Sequence, residues 1–183
     1  MIIETIMSTL DAGGRPNFAP MGVRLAGGDV DIRPFARSRT YHNLVETGKG
    51  VINIVDDVLL IVETALYSAT PPYFKLKDGL PVLDGACSYY LFEVTGCVSS
   101  AEPARITGRV LESGINKKFS GFCRASFAIL ELAILATRLH LLSKDAVLRE
   151  IDHWSALVKK TGGKRELKAL NMLIDYIETY TAV

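Results

Sequence analysis

Residues 33–57 read RPFARSRTYHNLVETGKGVINIVDD, and this stretch decides the fold. It reads as the end of a strand, a basic turn, a short helix and a second strand. No acidic side chain falls between Asp31 and Glu46, while Arg33, Arg37 and Arg39 all do. Ser38 and Thr40 stand where the helix begins, and either can cap its open N–H groups. Arginine forks, hydroxyls and open backbone donors at a helix start form a seat for a phosphate. The expectation is that this turn holds the phosphate of a cofactor. The plainer alternative is a capped helix whose arginines are merely solvated. Neither GxxxxGK[ST] nor GxGxxG occurs, so the strongest nucleotide-binding loops are excluded.

The helix is expected over Thr40–Thr47, closed by Gly48 as its C-terminal cap. Val51–Val55 is then a buried strand with Asn53 in its middle. A buried amide needs partners, so Asn53 either bonds a neighbouring loop or contacts a ligand. Asp56 or Asp57 can cap a helix over Val58–Ala69, which Pro71 and Pro72 stop.

Upstream, Ile2–Leu10 alternates as a strand and Asp11–Gly14 turns it. Pro16–Arg24, PNFAPMGVR, follows as a strand broken by Pro20 and Gly22. Proline removes a ladder donor, so this strand lies at an edge or carries a bulge. Either would offer backbone groups to a flat heteroaromatic ring. Ala26–Asp29 turns, and Val30–Phe35 leads into the basic stretch.

Downstream, Lys75–Gly85 reads as a loop, and Ser88–Ser100 as a long strand bending at Gly96. Ala101–Ala104 turns it back into Arg105–Glu112. About six strands in sequence-adjacent pairs favour an antiparallel barrel over a βαβ fold. From Phe119 the chain turns helical. Phe119–Leu142 is its most apolar segment, yet Arg124, Glu131, Arg138 and His140 interrupt it, which argues against a membrane span. Arg124, Glu131 and Arg138 recur every seven residues and line one stripe: a solvent strip, an ion ladder at an interface, or part of a site. Ser143 caps a helix over Lys144–Lys160, Gly162-Gly163 breaks it, and a last helix covers Lys164–Tyr180. The class is α+β, with residues 1–118 a barrel and residues 119–183 a helical subdomain packed on the barrel or on a dimer interface.

A formal net charge of +1 gives no field that would draw nucleic acid or an acidic membrane surface. Hydrophobic residues make up 49%, which implies a large core, a buried dimer interface, or both. Three widely spaced cysteines form neither a zinc pattern nor a secreted disulfide framework, and MIIETIMSTLDAGG is not a signal peptide. The expected location is cytoplasmic. The histidines make no HExxH, so no metal site is expected, and no GxSxG elbow occurs. His42, beside the basic turn, either acts as an acid or phosphate contact or is an exposed helix residue. No catalytic set is visible, and a protein of this kind does redox chemistry only through a cofactor.

The combination NFAPMGV, RPFARSRTYHNL and GVINIVDD resembles the archaeal DUF447 group of FMN-binding split-barrel proteins. It is more distantly similar to flavin reductase-like split barrels, in which an S-x-T-x-x-N turn-helix precedes a strand containing Asn. Here that element is Ser38, Thr40 and Asn43, with Asn53 in the next strand. CRASFAILELAILATRL resembles the family's helical segment, so the likeness extends over nearly the whole chain. The resemblance implies a homodimer of antiparallel split barrels with FMN near the subunit interface. It implies that Arg37, Ser38 and Thr40 hold the phosphate. Ala19, Pro20, Met21, Gly22 and Val23 would run along the ring, Phe35 would pack on it, and Asn43 and Asn53 would bond phosphate, ribityl chain or ring. The function so implied is that of an FMN-dependent oxidoreductase of the flavin reductase type, with a possible nicotinamide donor. The rival readings are a non-enzymatic flavin-binding protein for storage, delivery or sensing, and a dimeric interaction module without cofactor.

Overall fold

The N-terminal apolar alternation closes on itself in the computed structural model, which describes residues 1–71 and 73–180. The elements are β1 (Ile3–Leu10), β2 (Pro16–Ala26), β3 (Asp29–Ile32), α1 (Arg39–Thr47), β4 (Lys49–Ile54), α2 (Val58–Leu66), β5 (Phe74–Lys77), β6 (Leu80–Leu83), β7 (Ser88–Val98), β8 (Arg105–Ile115), α3 (Arg124–Ala136), α4 (Lys144–Thr161) and α5 (Lys164–Thr179). Strands in the order β1-β2-β3-β8-β7-β4 close an antiparallel barrel, as the adjacent pairing predicted. The chain divides into two compact units: residues 1–56 with 70–119, and residues 57–69 with 120–183.

Inward side chains fill the barrel. Met7, Val23, Ile32, Ile52, Phe92 and Ile106 are all buried in one cluster, with Leu44 of α1 closing it. Phe92 is 0% exposed, and its ring lies between two glycines. A Cβ on Gly50 would come within 2.9 Å of that ring and one on Gly108 within 2.7 Å. Both positions must lack a side chain for the ring to be seated.

The edge alternative for β2 is the one found. Its register with β1 runs unbroken from Leu10↔Pro16 to Ile3↔Val23, so no bulge interrupts it at Pro20 or Gly22. On its other side β3 pairs only with Val23–Ala26. Residues 16–22 therefore have no strand on that side among the described residues, and the donor that Pro20 lacks costs nothing there. The register shifts lie between β7 and β8 instead: at Leu91/Phe92 the extra residue is Leu111 of β8, and at Val94/Gly96 it is Thr95 of β7, at the expected bend.

The stretch expected to be a loop over Lys75–Gly85 is a hairpin, β5 with β6. Asp78 and Gly79 take φ of 48° and 76° at its turn, the left-handed pair that an Asp-Gly hairpin requires. Leu80, Val82 and Leu83 are buried, which pins the hairpin to the first unit. Pro72 lies outside the described residues.

In the second unit α2, α3, α4 and α5 share one apolar cluster that includes Val62, Ile129, Leu132, Ile151 and Leu173. Asp57 caps α2, accepting from the Leu59 N–H at 3.2 Å, and pairs with Arg165 of α5. Lys168 reaches Glu63 at 3.2 Å. A single boundary at 118/119 has no place for α2, which packs among the C-terminal helices. The long helix expected over Phe119–Leu142 is shorter at both ends. Gly121 takes φ of 102° ahead of α3, and after Ala136 turns bonded to Arg138 O carry the chain to Leu142. Arg124, Glu131 and Arg138 are all exposed, and Arg138 lies beyond the end of α3, so only the first two share its face. No helix of the described residues is long and apolar enough to cross a membrane.

Candidate functional site

Ser38 is the N-cap of α1, as its residue type predicts. Its φ and ψ are −79° and 148°, and its hydroxyl accepts from the Tyr41 N–H at 3.2 Å. Its N–H donates to Phe35 O at 2.9 Å and its carbonyl accepts from His42 N–H at 3.2 Å. The N–H groups of Arg39 and Thr40 are left without an acceptor among the described residues. At the far end Gly48, at φ 69°, closes the helix by donating to Leu44 O. No carboxylate pairs with the exposed guanidinium groups of Arg33, Arg37 and Arg39 among the described residues. Two open backbone donors at the positive end of a nine-residue helix, beside unpaired arginines, have the chemistry of an anion seat. Phe35, 57% exposed, stands on the same turn.

Beside Leu44, the buried side of α1 carries two polar residues that are tied down. Thr40 is 2% exposed, and its Oγ1 accepts from Asn17 Nδ2 of β2 at 3.1 Å. Asn43 is 6% exposed and donates to Thr9 Oγ1 of β1 at 2.9 Å. These bonds fix the helix start beside the open edge of β2, whose residues Ala19, Pro20, Met21 and Gly22 are half-buried while Val23 is buried. Anion seat and strand edge are thus held by one pair of bonds. Asn17 and Thr9 were not singled out from the sequence, because their role exists only across 23 and 34 residues of chain.

Asn53 takes the structural one of its two alternatives. It is 0% exposed. Its Nδ2 donates to Ile6 O at 3.0 Å and to Ser8 Oγ at 2.9 Å, and its Oδ1 accepts from the Leu83 N–H at 2.9 Å. The residue fastens β1, β4 and β6 together, and its amide is already engaged inside the barrel. His42 is exposed, its ring edge-on to Tyr41 at 5.5 Å. The Cys97 thiol lies 3.8 Å from Tyr41 Oη and pushes the phenol's pKa up. On the same turn, the N–H of Ala36 donates to the Glu102 carboxylate at 3.3 and 3.4 Å.

Elsewhere on the barrel an open groove of about 480 Å³ is lined by Arg24, Asp29, Asp31 and Arg105 among others, and by none of the anticipated site residues. Among the described residues no cluster of His, Cys, Asp and Glu is placed to hold a metal ion. Burial pushes the Cys87 thiol up, helped by the Asp56 carboxylate beside it. Its thiolate, the reactive form, is correspondingly scarce. Iodoacetamide at mildly alkaline pH should therefore label exposed Cys97 in the native protein and Cys87 only after unfolding, as mass spectrometry of the modified peptides would read. Native labelling of Cys87 at the rate of Cys97 would contradict this arrangement.

The family model described as "Protein of unknown function (DUF447) N-terminal domain" matches residues 3–117, and the one described as "Protein of unknown function (DUF447)" matches residues 123–175. Among solved structures, an FMN-bound protein from Methanosarcina mazei assigned to the same family is 29% identical. Its TM-score is 0.85, over 96% of this chain and 94% of that one. The styrene monooxygenase flavin reductase of Pseudomonas putida S12 is 19% identical, with a TM-score of 0.55 over 63% of this chain and 82% of that one. An FMN-binding protein from Thermus thermophilus is 15% identical, with a TM-score of 0.52 over 62% of this chain and 70% of that one. These last two share the barrel fold.

Proposed function

Because the chain belongs to the DUF447 family, we propose that it is a flavoprotein holding FMN through the turn before α1 and the open edge of β2. The observation that carries this reading is the anion seat itself: two N–H groups, at Arg39 and Thr40, and the guanidinium groups of Arg37 and Arg39, all without a partner among the described residues. The FMN-bound relative of nearly the same length and fold supports the choice of ligand.

The residues present suit the group. Arg37 and the helix-start donors neutralise a phosphate dianion, and Ser38 keeps the helix start in shape as its cap. Thr40 and Asn43 act from below, by anchoring the helix to β2 and β1. The edge from Ala19 to Val23 offers backbone donors and acceptors to the polar rim of a flat ring, with Phe35 exposed on the neighbouring turn for its apolar side. Bound FMN supplies two-electron redox chemistry, and the protein supplies orientation and electrostatics. The proposed activity is that of an oxidoreductase of the flavin reductase type drawing on a nicotinamide donor. A homodimer with the flavin near its interface, and a cytoplasmic location that suits three free cysteines, belong to the same reading.

A second reading, flavin storage or delivery without turnover, draws support from the side chains of the site. Apart from Arg37, none of the anticipated site residues is titratable. The two readings separate in one experiment. The purified protein is mixed with FMN, desalted and scanned in the visible range, then exposed anaerobically to NADH or NADPH. Retained and bleached flavin bands support the reductase, retained and unbleached bands the carrier. Complete loss of the bands on desalting, with no binding at high FMN, would refute the flavin reading altogether.

Arg37→Ala should weaken FMN binding about tenfold or more, since a hydrogen bond to a charged group contributes about 1.5–3 kcal/mol. Riboflavin, which lacks the phosphate, should bind wild type and variant alike. Equal losses for both ligands would place Arg37 elsewhere than at the phosphate.

A further inference from the structure

The turn that makes the anion seat already touches one anion. The loop between β7 and β8 brings Glu102 across 66 residues of chain to the turn, where both carboxylate oxygens accept from the N–H of Ala36, at 3.3 and 3.4 Å. Ala36 lies one residue before Arg37 and two before the cap Ser38. The carboxylate is therefore the resident negative charge of this turn, and it makes no ion pair with Arg33, Arg37 or Arg39 among the described residues.

We infer that Glu102 sets the affinity of the site for flavin phosphate, by opposing the phosphate electrostatically while holding the turn through Ala36. The inference rests on the reading of this turn as the phosphate seat. Two effects of Glu102 on binding act in opposite directions. Its hydrogen bond to the Ala36 N–H keeps the turn in the shape that presents Arg37 and the helix-start donors. Its charge repels the incoming dianion, and like charges at a shared anion site disfavour each other. Glutamine keeps an acceptor oxygen for Ala36 and removes the charge, so the two effects can be separated. A site arranged in this way binds FMN less tightly than its arginines would allow and keeps the flavin exchangeable with solution.

The test compares FMN and riboflavin binding by flavin fluorescence quenching, in wild type, Glu102→Gln and Glu102→Lys. Exposed charge pairs are weak, so the expected gain for FMN is about three- to fivefold for Glu102→Gln; in Glu102→Lys the reversed charge adds to that gain while the lost acceptor for Ala36 subtracts from it. Riboflavin affinity should stay constant across the three proteins, and the gain should shrink at high salt. Unchanged or weaker FMN binding by Glu102→Gln, in a protein whose wild type prefers FMN to riboflavin, would overturn the role of Glu102 alone. Equal tightening of riboflavin would also overturn it, since the effect would then not pass through the phosphate. Equal binding of FMN and riboflavin by the wild type would remove the phosphate seat, and the role of Glu102 with it.

Discussion

Replacing Phe92 by alanine is expected to destabilise the barrel by about 3–5 kcal/mol, the range for truncating a buried aromatic residue. The upper part of that range applies because of what surrounds the ring. Phe92 is wholly buried, and two of the positions facing it, Gly50 and Gly108, have no side chain that could move into the space. Collapse of the neighbours is what usually reduces the cost of a cavity, and glycine offers little to collapse. The measurement is hydrogen exchange of amides in β4, β7 and β8, where Phe92 and both glycines lie, alongside denaturant titration. A loss below about 1 kcal/mol would mean that the glycine-walled seat does not exist as described.

The second large effect concerns Asn53. Asn53→Leu keeps the branched shape and removes the amide, so the Leu83 N–H and the Ile6 carbonyl lose a partner in the buried interior. A stranded buried group costs about 1–3 kcal/mol, so about 2–6 kcal/mol is expected for the two. The damage should concentrate where β6 is fastened, with the Leu83 amide exchanging far faster than in wild type. FMN affinity of the folded fraction should change little, because the amide is turned inward. A variant of normal stability that had lost FMN would restore the ligand role considered for Asn53.

Partners close together in sequence are legible in it, and partners brought together only by the fold are not. Local chemistry was legible: Ser38 as a cap, Gly48 as a left-handed stop, Ser143 ahead of α4, and Pro20 as the mark of an edge. Each depends on groups within about four residues of chain, where backbone geometry alone dictates partners. Asn53 was legible as a buried amide, but its partner Leu83 lies in a hairpin that was read as a loop. The Asp78-Gly79 turn signal was present there, and what obscured it was the short length of β5 and β6 around Pro81. The seat at α1 was readable from its arginines and its cap. Its supports, Asn17 and Thr9, and the acidic residue facing it, Glu102, were not, because nothing local distinguishes them from ordinary strand and turn residues.

The placement of α2 in the second unit has a consequence for how the protein is made. Val58, Leu59 and Val62 are buried among residues of α3, α4 and α5, yet α2 leaves the ribosome about a hundred residues ahead of Leu173. At ~5–20 residues per second its apolar face waits roughly 5–20 s for the helices that cover it. The first unit also contains a later segment, residues 70–119, so neither unit is complete when α2 emerges. A ribosome halted after residue 119 would display α2 to chaperones, whereas a chain released with α3, α4 and α5 in it carries the helices that hide it.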